Sequence, residues 1–237
     1  MKRISIGIII AFFGLAALPV YSQNQSILKL ADDYSHALKK FQIQKNRRSI
    51  EGILRKGKAV AEKLDELESL NKTEYSLLER KMRGFVVNRD EILFIEPDSK
   101  FFAKLAARHG TRADIAFFYL LGELRPDGVW AAYIEQQTDV TGCTIYGQGL
   151  LTKLYGKSLQ FKKNYPKSYI SDIDEEINAI LSGFTESLCA CGERESVLKE
   201  FRLFIKTFPK DKNTPAIKKR LAEIKKSKDF RFKCQSG

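Results

Sequence analysis

The chain has 237 residues, 43% hydrophobic and 30% charged, with 16 Phe and 9 Tyr. That is far more apolar mass than a disordered chain carries, and the length suffices to bury a core. The formal charge is +12, and no Gly-x-Ser-x-Gly, Walker loop, dinucleotide fingerprint or calcium loop occurs; serine-hydrolase and P-loop chemistries are excluded on that ground.

Lys2 and Arg3 precede Ile4 to Val20, a run of 17 residues without charge, followed by Tyr21 and Ser22. A positive end, an apolar stretch and small or β-branched residues at Val20 and Ser22 predict a secretory signal cut after Ser22. The run is at the short limit for spanning a bilayer. Residues 1–22 are therefore read as a cleaved signal, the only part meeting a membrane, and 23–237 as one exported domain, periplasmic or secreted. The mature chain keeps 39 basic and 29 acidic residues, a net charge of +10.

The N-terminal part, 23–96, reads as helices. Ile27, Leu30, Ala31, Tyr34, Ala37, Leu38 and Phe41 fall at steps of three and four, with Ser26 as the expected N-cap. A second helix carries Ile50, Ile53, Leu54, Gly57, Val60, Ala61, Leu64 and Leu67. A third carries Tyr75, Leu78, Met82 and Phe85, with Asn71 and Glu74 at capping-box spacing. Residues 86–96 form either a small hairpin or an irregular crossover.

The second part, 97–237, opens with a short helix on Phe101, Phe102, Leu105 and Ala106, capped by Ser99 and ended by Gly110. Thr111, with Asp114 in the reciprocal position, caps a helix over Ile115 to Leu121 that is apolar all round and so predicted to be buried. Pro126-Asp127-Gly128 is a turn. A short helix is expected around Trp130, Tyr133 and Ile134, then a loop from Thr141 to Gly149. Helices follow over 149–164, 171–188 and 194–207, and a last one starts at Thr214 with Pro215 at its first position. Asp172, Asp174, Glu175 and Glu176 crowd a first turn, where the helix dipole favours negative charge. Phe230, Phe232 and Cys234 alternate as an extended strip. The fold class predicted is all-α: eight to nine helices stacked as antiparallel hairpins.

Four cysteines remain after the signal: Cys143, Cys189, Cys191 and Cys234. In an oxidising compartment an even count points to two disulfides. A Cys189–Cys191 bond would close a small, strained ring. The other two pairings both tie the Cys-Ala-Cys turn to the Cys143 loop and to the tail. Cys-x-Cys is not zinc-knuckle spacing, so neither metal nor cofactor is expected.

Two local resemblances occur. Phe161-x-x-x-Tyr165-Pro166-Lys167 recurs 43 residues later as Phe204-x-x-x-Phe208-Pro209-Lys210. This resembles helix-pair repeats of the tetratricopeptide kind, although that family repeats every 34 residues or so. Arg108-His109-Gly110-Thr111-Arg112 resembles the RHGxR core of histidine acid phosphatases, whose histidine is phosphorylated. Here Asp114 stands where that family has proline, a helix precedes the motif in place of a strand, and His36 is followed by Ala37, not aspartate. The stretch is read as a helix end followed by the next cap.

Polar residues that are neither caps nor surface charges gather in 108–155. The candidate binding residues are Arg108, His109, Arg112, Asp114, Trp130, Tyr133, Glu135, Gln136, Gln137, Asp139 and Tyr146; no catalytic residue is assigned. The first functional reading is a non-catalytic helical binder of a cell-envelope component or another protein, for example an inhibitor or immunity protein. A second is a peptidoglycan-type glycan hydrolase using a carboxylate among Glu123, Asp127, Glu135 and Asp139, with aromatic residues beside it. A third is a basic module on anionic polymer, because residues 199–237 hold 13 basic and 4 acidic side chains, Lys218, Lys219 and Arg220 among them. The tail lacks the aromatic interleaving of a single-strand binder, so no specific nucleic acid is expected.

Overall fold

The apolar periodicity is realised as nine helices and two small antiparallel hairpins among the described residues. The computed structural model describes residues 18–44, 46–65, 70–88, 94–138, 141–186 and 189–226. Most of the signal segment, Leu67, Asp139, Leu188, Phe230, Phe232 and Cys234 lie outside them. Among the described residues no helix is long and apolar enough to cross a membrane.

Helix α1 (Leu18–Gln42) begins eight residues before the predicted cap at Ser26. Nothing between Leu18 and Ser26 stops a helix, since the lone proline, Pro19, falls in the first turn, where its missing N–H is not needed. α1 packs on α2 (Glu51–Asp65) and α3 (Lys72–Lys81). The Asn71–Glu74 capping box is present.

Of the stretch left open as a hairpin or a crossover, residues 85–88 and 94–97 pair as antiparallel strands, β1 (Phe85–Asn88) with β2 (Phe94–Pro97), in which Val87 faces Ile95. β2 runs along α2. Gly57 of α2 makes room for Phe85 of β1, because a Cβ there would lie 2.1 Å from the Phe85 ring. From Phe85 an aromatic chain crosses into the second part. Phe85 meets Tyr34 at 5.3 Å and Phe102 at 5.5 Å edge to face, Phe102 stacks on Phe118, and Phe117 stacks on Tyr169 at 3.8 Å. Residues 23–96 and 97–237 thus share one buried cluster.

α4 (Ser99–His109) is capped by Asp98, whose carboxylate accepts Lys100 N and Phe101 N; Ser99 is the first helical residue. Asp outcompetes Ser here because it reaches both orphan donors. Gly110 ends α4 in an extended conformation, not a left-handed one. Glycine is needed there for space, since a Cβ would come within 2.8 Å of Ala106 Cα. α5 (Arg112–Leu124) starts at the predicted Thr111–Asp114 capping box.

The short helix expected around Trp130 to Ile134 is replaced by a turn and a strand. β3 (Ile134–Gln136) pairs with β4 (Gly142–Thr144), placing Glu135 opposite Cys143. Gly128 (φ +85) and the bond from Ala132 N to the Leu124 carbonyl fold the chain back on α5 and leave no room for helical propagation. Thr144 also bridges Ala190, through Thr144 N to Cys189 O and Cys191 N to Thr144 O. The Cys143–Cys191 disulfide lies beside this bridge. It is one of the two ties expected for the Cys-Ala-Cys turn, and it leaves Cys189 and Cys234 for the other.

α6 (Leu150–Asn164), α7 (Ile170–Thr185), α8 (Arg194–Thr207) and α9 (Thr214–Lys226) complete the chain as hairpins α6–α7 and α8–α9. The repeated aromatic-Pro motif has one geometry. Tyr165 (φ −132, ψ 63) and Phe208 (φ −122, ψ 59) each close the helix and lead into a proline turn. Arg125-Pro126 repeats the geometry without the aromatic, with φ −136, ψ 77 and the same turn bond, Gly128 N to Arg125 O. A residue before proline is barred from the α region, so each helix stops there.

Candidate binding groove

The residues singled out in 108–155 divide between two places. Arg108 is exposed and His109 half-buried at the end of α4, with His109 edge-on to Phe41 of α1. Arg112 is exposed in the first turn of α5. Asp114 is wholly buried and holds the fold together. Its Oδ1 accepts Ile50 N at 2.9 Å, Ser49 Oγ at 3.3 Å and the Tyr169 hydroxyl, and its Oδ2 accepts Thr111 N and Oγ1. One carboxylate therefore joins the starts of α2, α5 and α7. Tyr169 leads into α7 at φ 53, the one positive φ outside glycine among the described residues. The Asp114 bond and the Phe117 stack hold that strained conformation. Burial first, and then the Asp114 charge, push the Tyr169 phenol far up.

The other group surrounds the second hairpin. Tyr133 and Tyr146 are buried, and Tyr146 donates to the Gly183 carbonyl. Burial, with the Glu176 charge behind it, raises the Tyr133 phenol to about 12. Trp130 is half-buried; Glu135, Gln136 and Gln137 are exposed. Gln137 Nε2 reaches Cys143 Sγ at 3.3 Å. Glu123 is exposed and ion-paired to Lys157, Asp127 is exposed, and Asp139 lies outside the described residues. Glu135, Cys143 and Cys191 lie within metal-ligand spacing of one another, but both sulfurs are joined in the disulfide and offer no thiolate.

The groove with a built interior is elsewhere, between α2, β2, α5 and α7. A cavity of about 260 Å³ has a floor of Leu54, Ile95, Phe117 and Leu121. A second hollow, of about 380 Å³, continues past Lys58 between α2 and the first turn of α7. Two ion pairs frame the floor. Lys58 Nζ lies 2.5 Å from Asp172 and 3.4 Å from Glu175. Burial pulls the Lys58 ammonium down, but the two carboxylates outweigh it and leave it raised. Arg125 gives Nε to Glu176 Oε1 at 2.6 Å and Nη1 to the Val129 carbonyl at 2.9 Å.

Glu176 is the residue of most consequence here. It is 8% exposed and lines the cavity, and its second oxygen, Oε2, is buried without a hydrogen-bond partner among the described residues. The Arg125 ion pair offsets the desolvation of this carboxylate through Oε1 alone. Across both hollows the lining carries six acids (Glu51, Glu62, Glu96, Asp172, Glu175, Glu176) against Arg55, Lys58 and Arg125, a net of −3 in a chain of +12.

None of the groove's charged residues was among the sequence candidates. In the sequence Asp172, Glu175 and Glu176 look like acids favoured by the helix dipole. Their i, i+3, i+4 spacing, which sets all three on one face, is the signal that could have found them. Comparison with protein-family models, curated proteins and solved structures finds no match for this chain.

Proposed function

We propose that the protein is an exported, non-catalytic binder of a cell-envelope component or another protein, and that it binds through the groove between α2 and α7. The observation that supports this reading is the groove itself: an apolar floor drawn from both parts of the chain, framed by paired charges and holding a buried carboxylate oxygen with spare capacity. Apolar pockets with a few fixed polar groups are the usual form of a binding site. The acids of the glycan-hydrolase reading gain no such support, since Glu123, Asp127 and Glu135 are exposed on three separate segments.

Ala61 lines the groove without taking part in either ion pair, so Ala61→Trp fills it while leaving the charges in place. The full chain is tested against peptidoglycan fragments, lipopolysaccharide, phosphatidylglycerol vesicles and a random dodecapeptide library. Any probe bound by the wild type should weaken by about tenfold or more with Ala61→Trp and be unchanged with Lys218→Ala, which lies outside the groove. A folded Ala61→Trp that binds every probe as the wild type does would contradict the groove reading.

A further inference from the structure

We infer that the groove takes one cationic side chain, a lysine or arginine borne on a partner polypeptide next to an apolar residue. This rests on the groove being the binding surface.

Arg125 uses its Nε on Glu176 Oε1 and an Nη on the Val129 carbonyl, so Oε2 is left unpartnered and closed off behind the cavity wall that Glu176 lines, and a turn of the carboxyl about its soft terminal torsion brings it to the cavity. A bare carboxylate oxygen calls for a donor, and a charged one satisfies it best. The surrounding lining, at net −3, attracts a cation and repels phosphate, sulfate or carboxylate ligands. The groove acids are nowhere gathered as three within metal-ligand spacing among the described residues, which disfavours a divalent ion. The floor of Leu54, Ile95, Phe117 and Leu121 suits the methylene stem of a long basic side chain, which packs its carbons on apolar surface while its head meets charge. The cavity of about 260 Å³ has room for one long side chain. It fits an anchoring side chain, with the flanking residues of the partner lying along the second hollow toward Arg55 and Ser171.

The test pans a random dodecapeptide library on the full chain, then synthesises the best peptide in two forms. One keeps its arginine or lysine; the other carries neutral citrulline or acetyl-lysine at that place. Enrichment of a basic residue beside an apolar one is expected, with the neutral form at least tenfold weaker by fluorescence polarisation. Glu176→Gln should cost the charged peptide about the same factor and the neutral one nothing. Should Glu176→Gln fail to fold, the exposed-rim pair Glu62→Gln with Glu175→Gln serves instead, with an expected loss of about threefold for the charged form alone. No enrichment, acidic or uncharged winners, or equal binding of the two forms overturns the assignment. If Ala61→Trp abolishes binding while the two forms bind alike, the groove stands and the cation falls. If Ala61→Trp changes nothing, the groove reading falls with it.

Discussion

Two buried glutamates one helix apart in sequence show how the same group is put to different use. Glu200 of α8 is fully buried, with both oxygens engaged: Gly147 N and Gly149 N on one, Thr152 N and Oγ1 on the other, at 2.7–3.2 Å. It caps α6 from outside, because that helix starts on Gly149, which has no side chain to do so. Glu176 of α7 is almost as buried, yet only one oxygen is partnered. A saturated buried carboxylate is part of the fold; a half-used one beside a lined groove is where the proposed binding would act. Asp114, with five donors, belongs with Glu200.

Removing each acid in turn separates the two roles. Glu200→Ala strands three backbone N–H groups at about 1–3 kcal/mol each, so a loss of about 3–5 kcal/mol is expected in urea unfolding. Glu176→Gln should cost less, about 1–2 kcal/mol, since the amide oxygen still accepts from Arg125 and the guanidinium left without its counter-charge is 28% exposed and partly hydrated. Equal losses would erase the distinction.

Next in size is the staple on the loop above Glu200. Cys143 and Cys191 close a 48-residue separation, for which chain entropy gives about 4 kcal/mol. Cys143→Ser with Cys191→Ser should lower thermal stability by about 10 °C. Peptide mass mapping of the unreduced wild type should recover Cys143–Cys191 and leave Cys189 with Cys234. Recovery of a different pair would contradict the hairpin register.

The smallest effect is alkaline. Burial raises the phenols of Tyr34, Tyr133, Tyr146, Tyr155 and Tyr169, with Tyr133 and Tyr155 at about 12. Unfolded tyrosine ionises near 10, so the folded state holds these protons longer. Their contribution to stability is complete below about pH 10 and is lost as pH climbs toward 12 and beyond. Absorbance at 295 nm should show these five phenols lagging until the chain unfolds. Ionisation of these five near 10 with the fold intact would contradict the packing.

Local rules made much of this fold legible. The helices follow from apolar spacing, the capping boxes at Asn71 and Thr111 from residue pairs three apart, and the stops at Tyr165 and Phe208 from the prolines after them. What escaped was non-local. The 134–144 hairpin depends on Ala190 and Cys191, and Asp114 owes its burial to Ile50 and Tyr169, more than 50 residues away on either side. The groove joins Lys58 to Asp172, two residues with no pattern between them. Its acids looked like ordinary helix-start charges because a dipole argument accounts for them without any partner.

The most direct measurement is carboxyl carbon NMR of glutamate-labelled full chain, with Glu176 and Glu200 assigned by substitution, during titration with the charged peptide. The Glu176 signal should move with saturation while that of Glu200 stays in place. Binding that leaves Glu176 unmoved, or shifts both alike, would contradict the division between a structural and a ligand-facing buried carboxylate.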